Sequence, residues 1–121
     1  MVVMQRREND CLICCCAMYW DITYEAVVEI TKDKLPEYYT IYQRNHLLPL
    51  SFAKRLALLF GQKDIGWRIY NSADIKKKSI LGIPTGYKQV HCVFWDTVKV
   101  IDPASRDYLF SDALFVFQRK N

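Results

Sequence analysis

The chain has 121 residues, of which 51% are hydrophobic and 25% charged, and it carries a net charge of +4. That length fits one domain, residues 1–121, with enough apolar side chains to bury a core. The mild basicity is only weak evidence for a nucleic-acid partner and the single lysine run, Lys76 to Lys78, reads as a solvated loop, so no nucleic acid is expected; no run of ~20 apolar residues is present to span a membrane.

The opening Met1-Val2-Val3 is too short for the apolar region of a secretory signal, so the expected location is the cytoplasm. Five cysteines is an odd number. Cys14, Cys15 and Cys16 are consecutive, which is no spaced disulfide framework, so reduced thiols are expected.

The first element follows a polar run. Asn9 and Asp10 are suitable N-cap residues, and Cys11 to Trp20 is apolar on every side, the pattern of a helix buried all round. Cys11 then occupies the first turn of that helix. Asp21 to Thr23 breaks it, and Thr23 can cap a second helix from Tyr24 to Asp33, although the β-branched residues of that segment also allow a strand. Lys34 to Pro49 is irregular or partly helical. Leu50 to Phe60 has Phe52, Leu56, Leu59 and Phe60 at helical spacing, with Gly61 as a stop.

After Gly61 the periodicity changes. Ile65, Trp67 and Ile69 alternate as a strand would. Ser79 to Ile83 is a short apolar run. Val90 to Trp95 and Val98 to Asp102 read as two strands of a hairpin turning at Asp96 and Thr97. Tyr108 to Gln118 closes the chain as a strand or short helix. Helices first and strands second is an α+β layout.

A two-residue turn at Asp96-Thr97 would set Trp95 opposite Val98, Val93 opposite Val100 and His91 opposite Asp102. Directly opposite residues on antiparallel strands have Cβ atoms about 4.5–5.5 Å apart. A carboxylate held against an imidazole fixes its tautomer and leaves the second ring nitrogen to take a proton. A cross-strand pair with no chemical role is the plainer alternative.

Cys11 meets the positive end of the helix dipole, which favours a thiolate, and a nearby imidazolium would favour it further. Cys14, Cys15 and Cys16 lie deeper and read as small core residues. Cys92 points to the strand face opposite His91 and reads as packing. Gln5, six residues before Cys11, can place a side-chain amide beside the Cys11 N–H. Such preorganised donors are worth about 3–4 kcal/mol each to an oxyanion.

The cysteines allow two other readings. Cys11-Leu-Ile-Cys14 is formally a redox C-x-x-C, but no βαβ unit surrounds it. Cys11, Cys14, Cys15 and His91 could offer four zinc ligands, though structural zinc sites draw ligand pairs from turns at short spacing. No cofactor or metal is expected. His46 has no partner that the sequence can place.

In order, Gln5 with Cys11 at a helix start, "ITYEAV", "HCVFW" and "VIDPAS" resemble the papain-like cysteine peptidases. The likeness is greatest to the compact bacteriocin-processing, double-glycine leader peptidase domains and their stand-alone relatives, and it runs from about Gln5 to Phe117. The resemblance implies a papain-like fold with N-terminal helices packed on a C-terminal antiparallel β-sheet. It implies Cys11 as nucleophile, His91 as general base and acid, Asp102 as the group orienting His91, and Gln5 in the oxyanion hole. The activity implied is hydrolysis of a peptide or amide bond through a thioester, with a peptide or protein substrate. Where the family carries Gly after the nucleophile, this chain has Leu12, bulky beside the reacting carbonyl. The alternative is the same scaffold without chemistry, acting as a protein-binding module.

Overall fold

The computed structural model describes residues 2–44, 46, 49–64, 77–86, 89–105 and 115–119. The architecture is α+β, with helices α1 (Cys11–Trp20), α2 (Tyr24–Lys34), α3 (Pro36–Gln43) and α4 (Leu50–Leu59). Strands β1 (Gln62–Asp64), β2 (Ser79–Gly86), β3 (Gln89–Trp95), β4 (Val100–Ile101) and β5 (Phe115–Arg119) follow. The sheet order is β1-β5-β2-β3-β4, with every pairing antiparallel. No single described helix is long and apolar enough to cross a membrane.

The all-round apolar character of α1 is explained by its surroundings. It packs on β2 and β3 on one side and against α2 and α4 on others, so Cys11 to Tyr19 are all buried. Asp21 ends it in the left-handed region at φ 53°. Trp20 Nε1–H then donates to the Phe60 carbonyl at 2.9 Å, tying the end of α1 to the end of α4. Gly61 follows at φ 74°, a conformation that glycine adopts without steric cost. Lys78 donates to the Tyr19 carbonyl, a cation placed at the negative end of the helix.

Thr23 caps α2 as expected, its Oγ1 accepting from Ala26 N–H at 3.1 Å. The undecided stretch after it contains α3. Pro36 stops α2 because it has no N–H to continue the ladder, and it starts α3 because a first-turn residue needs none.

Alternate residues of the strands separate into two clusters. Ile80, Val90, Cys92, Phe94, Phe115 and Phe117 join the helices in the main core. Leu81, Ile83, Val93, Trp95 and Val116 form a second cluster on the opposite face, as a period of two requires. The expected strand over Ile65 to Ile69 lies outside the described residues, as does the part of the final segment before Phe115.

Gly82 sits where β2 is flanked by β3 and β5. A Cβ there would meet Phe115 Cβ at 2.9 Å and Val90 Cγ2 at 3.2 Å. Gly82→Ala is therefore expected to destabilise the protein by about 1–3 kcal/mol through overpacking, read as a lower urea midpoint with an unchanged slope. An unchanged midpoint would contradict this packing.

Candidate active site: a thiol, an imidazole and a carboxylate at the edge of β3

The helix tip is held by its own sequence. Asp10 occupies the N-cap position of α1, but its carboxylate does not cap the helix. It turns back instead. Oδ2 accepts from Arg6 N–H at 2.9 Å, from Arg7 N–H at 3.1 Å and from the Tyr24 hydroxyl at 2.6 Å. Asn9 Nδ2 donates to the Ile41 carbonyl at 2.8 Å. These bonds strap the segment before Cys11 over α2 and α3 and leave the first N–H groups of α1 without a side-chain acceptor. The expected capping role of Asp10 is thus corrected. One of its oxygens, Oδ2, satisfies the strap.

The hairpin differs in register from the sequence expectation. The observed partners are Phe94 with Ile101 and Trp95 with Val100, so the loop spans four residues and Val98 and Lys99 belong to it. Asp96 Oδ1 accepts from both Val98 N–H and Lys99 N–H at 2.8 Å, and Thr97 takes φ 84°. That side-chain closure of the turn is what displaces the two-residue form. A shift of two residues preserves the face of every side chain, whereas a shift of one would reverse it. Asp102 therefore stays on the same face as His91, as a diagonal rather than a direct neighbour, and the two meet. His91 Nε2 and Asp102 Oδ1 lie 2.8 Å apart, with side chains 8% and 4% exposed.

Asp102 is itself fixed. Its Oδ1 also accepts from Ala104 N–H at 2.8 Å, and Ser105 N–H donates to its backbone carbonyl at 3.0 Å. Oδ2 is buried without a partner among the described residues. In the same turn, the Pro103 carbonyl accepts from Gln5 N–H at 2.8 Å. The sequence Asp102 to Ser105 thus orients the imidazole and anchors the segment carrying Gln5.

Cys11 reaches this pair because β4 is short. It covers β3 only at Phe94 and Trp95, so the Cys92 N–H points off an open edge. It donates to Cys11 Sγ at 3.4 Å. The sulfur therefore sits beside the rim of the sheet, where side chains from both faces of β3 can approach it. The Cys92 thiol and the His91 side chain both lie close enough to the Cys11 sulfur to act on its charge. With Nε2 committed to Asp102, Nδ1 is the ring nitrogen left for the sulfur.

The electrostatics follow from these contacts. The Cys11 thiol is pulled below its ordinary value by the hydrogen bond from Cys92, against the cost of burial, with the His91 hydrogen bond and charge adding to the pull. Burial disfavours a charged His91, yet the hydrogen bond and charge of Cys11, and then those of Asp102, raise its pKa overall. The Cys92 thiol is pushed up by its bond to Cys11 and by burial. Burial, more than any neighbour, also pushes up Cys14, Cys15 and Cys16. One of five thiols is thus set apart as the anion, although all five are free and buried.

A cleft of about 340 Å³ opens beside the imidazole, between Gln5, Arg7 and Glu8 on one wall and Pro103, Ala104 and Ser105 on the other. That volume lies at the small end of ligand sites, which run about 300–1,000 Å³. His91 lines the cleft, while Cys11 is only 2% exposed. Leu12 is fully buried in the main core, so its bulk is directed away from the cleft. Gln5 shares the cleft with His91, but its amide Nε2 donates to the Arg7 carbonyl at 2.9 Å. Its Oε1 is buried without a partner among the described residues.

Cys11, His91 and Asp102 are thus brought together, and Gln5 stands at the cleft with an amide turned toward its own segment. Cys92, expected only to pack, does pack, but its backbone amide also donates to the Cys11 sulfur. Strand alternation places Cys92 toward the helices and Cys11 opens the helix above it, which was the available signal. Among the described residues no group of three or more His, Cys, Asp or Glu side chains is disposed to hold a metal. No family model, curated protein or solved structure matches the chain.

Proposed function

We propose that the protein is a thiol-dependent hydrolase of the papain-like fold, cleaving a peptide or amide bond, with a cytoplasmic location as the natural setting for its free thiols. The observation that carries the reading is the convergence of three groups: His91 bonded to Asp102 at 2.8 Å, and the Cys11 sulfur held at 3.4 Å by the amide of Cys92, the residue next to His91.

In this mechanism His91 Nδ1 takes the Cys11 proton and the thiolate attacks the substrate carbonyl carbon. The oxyanion is held by the Cys11 N–H, free at the helix start, and by the Gln5 amide once it releases Arg7. The C–N bond breaks, and His91 returns the proton to the leaving amine. Water, deprotonated by His91, then hydrolyses the thioester and regenerates the thiol. Because Cys11 is 2% exposed, substrate must displace the Gln5–Glu8 strap to reach the sulfur. The bond from Gln5 N–H to Pro103 is the one that such a motion breaks first.

A second reading, a protein-binding module on the same scaffold, draws on that burial and on the Gln5–Arg7 bond. Turnover of a peptide-amide library separates the two. Wild-type protein is expected to cleave members of it. Asp102→Asn, which keeps an acceptor for Ala104 N–H and for His91 but loses the charge, is expected to be about 10- to 100-fold slower. A charge-assisted hydrogen bond is worth about 1.5–3 kcal/mol, and each ~1.4 kcal/mol is tenfold in rate. No turnover of any member by wild type, together with binding of an intact peptide, would favour the module.

A further inference from the structure

We infer that Cys11 and Cys92 form a hydroperoxide-reactive pair, in which a small peroxide oxidises the Cys11 sulfur and the Cys92 thiol resolves it as an internal disulfide. The inference goes beyond hydrolysis and stands whether or not Cys11 also attacks acyl carbon.

Geometry carries it. The two cysteines are 81 residues apart in sequence, yet the Cys92 amide donates to Cys11 Sγ at 3.4 Å, which sets the Cys11 sulfur against the residue that carries the second thiol. Both belong to the same buried cluster. A disulfide needs the two sulfurs drawn together to about 2.05 Å. Cys11 is the first residue of its helix, so its end is the part of α1 most able to make that small approach.

The chemistry balances with a hydroperoxide as the oxidant. The Cys11 thiolate attacks the terminal peroxide oxygen. An S–O bond forms, the O–O bond breaks, and the departing oxygen takes the His91 proton to leave as water or an alcohol. Cys11 is then a sulfenic acid. Cys92 sulfur attacks it, the S–S bond forms and the S–O bond breaks, and hydroxide leaves with the former Cys92 proton as water. Two thiols lose two electrons and the peroxide gains them.

Burial supplies selectivity. A sulfur 2% exposed beside a cleft lined by His91 is open to a molecule of peroxide size sooner than to a polypeptide. Cys14, three residues along the helix, is the competing partner, but the residue whose backbone amide holds the Cys11 sulfur is Cys92. The product would pin the tip of α1 to β3 and remove the thiolate until a dithiol restores it.

The test uses the full chain, treated with stoichiometric hydrogen peroxide, blocked with N-ethylmaleimide and digested with trypsin without reduction. The expected product links peptides 8–32 and 89–99, with fragment ions placing the bond on Cys11 rather than Cys14, and dithiothreitol removes it. Cys92→Ser is expected to lose the linked pair and to accumulate a dimedone adduct on Cys11. A Cys11–Cys14 bond, a persistent dimedone adduct on wild-type Cys11, or no oxidation at Cys11 would each overturn the inference. If Cys92→Ser does not fold, the wild-type linkage map decides alone. Since no step reads hydrolysis, failure here and failure of the hydrolase reading are separate results.

Discussion

Cys11→Ala is expected to abolish hydrolysis while leaving the fold in place. Removing the nucleophile of a catalytic unit costs on the order of 10⁴- to 10⁶-fold in turnover, because the remaining members cannot substitute for it. The structural cost is small. Alanine keeps the helix start, and the lost sulfur vacates only a little volume at the end of α1, for which about 1 kcal/mol is a fair expectation. The orphaned Cys92 N–H is the main penalty, and it sits on an edge that β4 does not cover. Turnover and a urea unfolding curve measured on the same preparation check both halves. A Cys11→Ala protein that is folded and still active would remove Cys11 from the chemistry.

His91→Ala has the second large expected effect, and its sign can be worked out from the paired shifts. In the proposed mechanism the reactive form carries a thiolate on Cys11 and a proton on His91. Falling pH protonates the thiolate, and because the Cys11 pKa is lowered, that loss occurs below the ordinary thiol value of about 8.5. Rising pH removes the imidazolium proton, and because the His91 pKa is raised, that loss occurs above the ordinary value of about 6.5. Activity is therefore expected to be bell-shaped, with its acid limb owed to the thiol and its alkaline limb to the imidazole. In His91→Ala the alkaline limb disappears, the acid limb moves up toward the ordinary thiol value, and neutral-pH turnover falls by at least about 10²-fold through loss of the acid–base group. Asp102→Asn removes one cause of the raised His91 value, so its alkaline limb moves down. Thiolate absorbance in the ultraviolet, taken as a difference against Cys11→Ala, reports the same titration without substrate. A Cys11 titration that His91→Ala leaves unmoved would contradict the pairing.

Much of this arrangement was legible in the residues. An apolar run with no polar stripe has one stable location, inside the core, and so α1 and the position of Cys11 at its start could be read directly. The meeting of His91 with Asp102 was legible for a reason sturdier than the register assigned to it. The true register differs by two, and an even shift leaves each side chain on its face. The turn was misread because Asp96 closes it with its own carboxylate, a local bond that no hydrophobic pattern reveals.

Other features depended on tertiary partners. Asp10 has the chemistry of an N-cap, and only the approach of Arg6, Arg7 and Tyr24 diverts it. Gln5 was placed at the site by its spacing from Cys11, but spacing does not show that its amide meets the Arg7 carbonyl. Leu12 looked like an obstacle beside the reacting atom, yet a helix turns each successive side chain by about 100°, enough to send it into the core. The insertion of β5 between β1 and β2 is a pairing choice among apolar strands that resemble one another.

The most direct measurement is the rate at which each cysteine of the native protein is alkylated by iodoacetamide near neutral pH, assigned by mass spectrometry. The account predicts that Cys11 is modified first and stays reactive below the ordinary thiol range. It predicts that His91→Ala slows that reaction and that Cys14, Cys15, Cys16 and Cys92 react only on unfolding. A Cys11 that reacts no faster than the other four, with or without His91, would contradict the claim that the edge of β3 holds an activated thiolate.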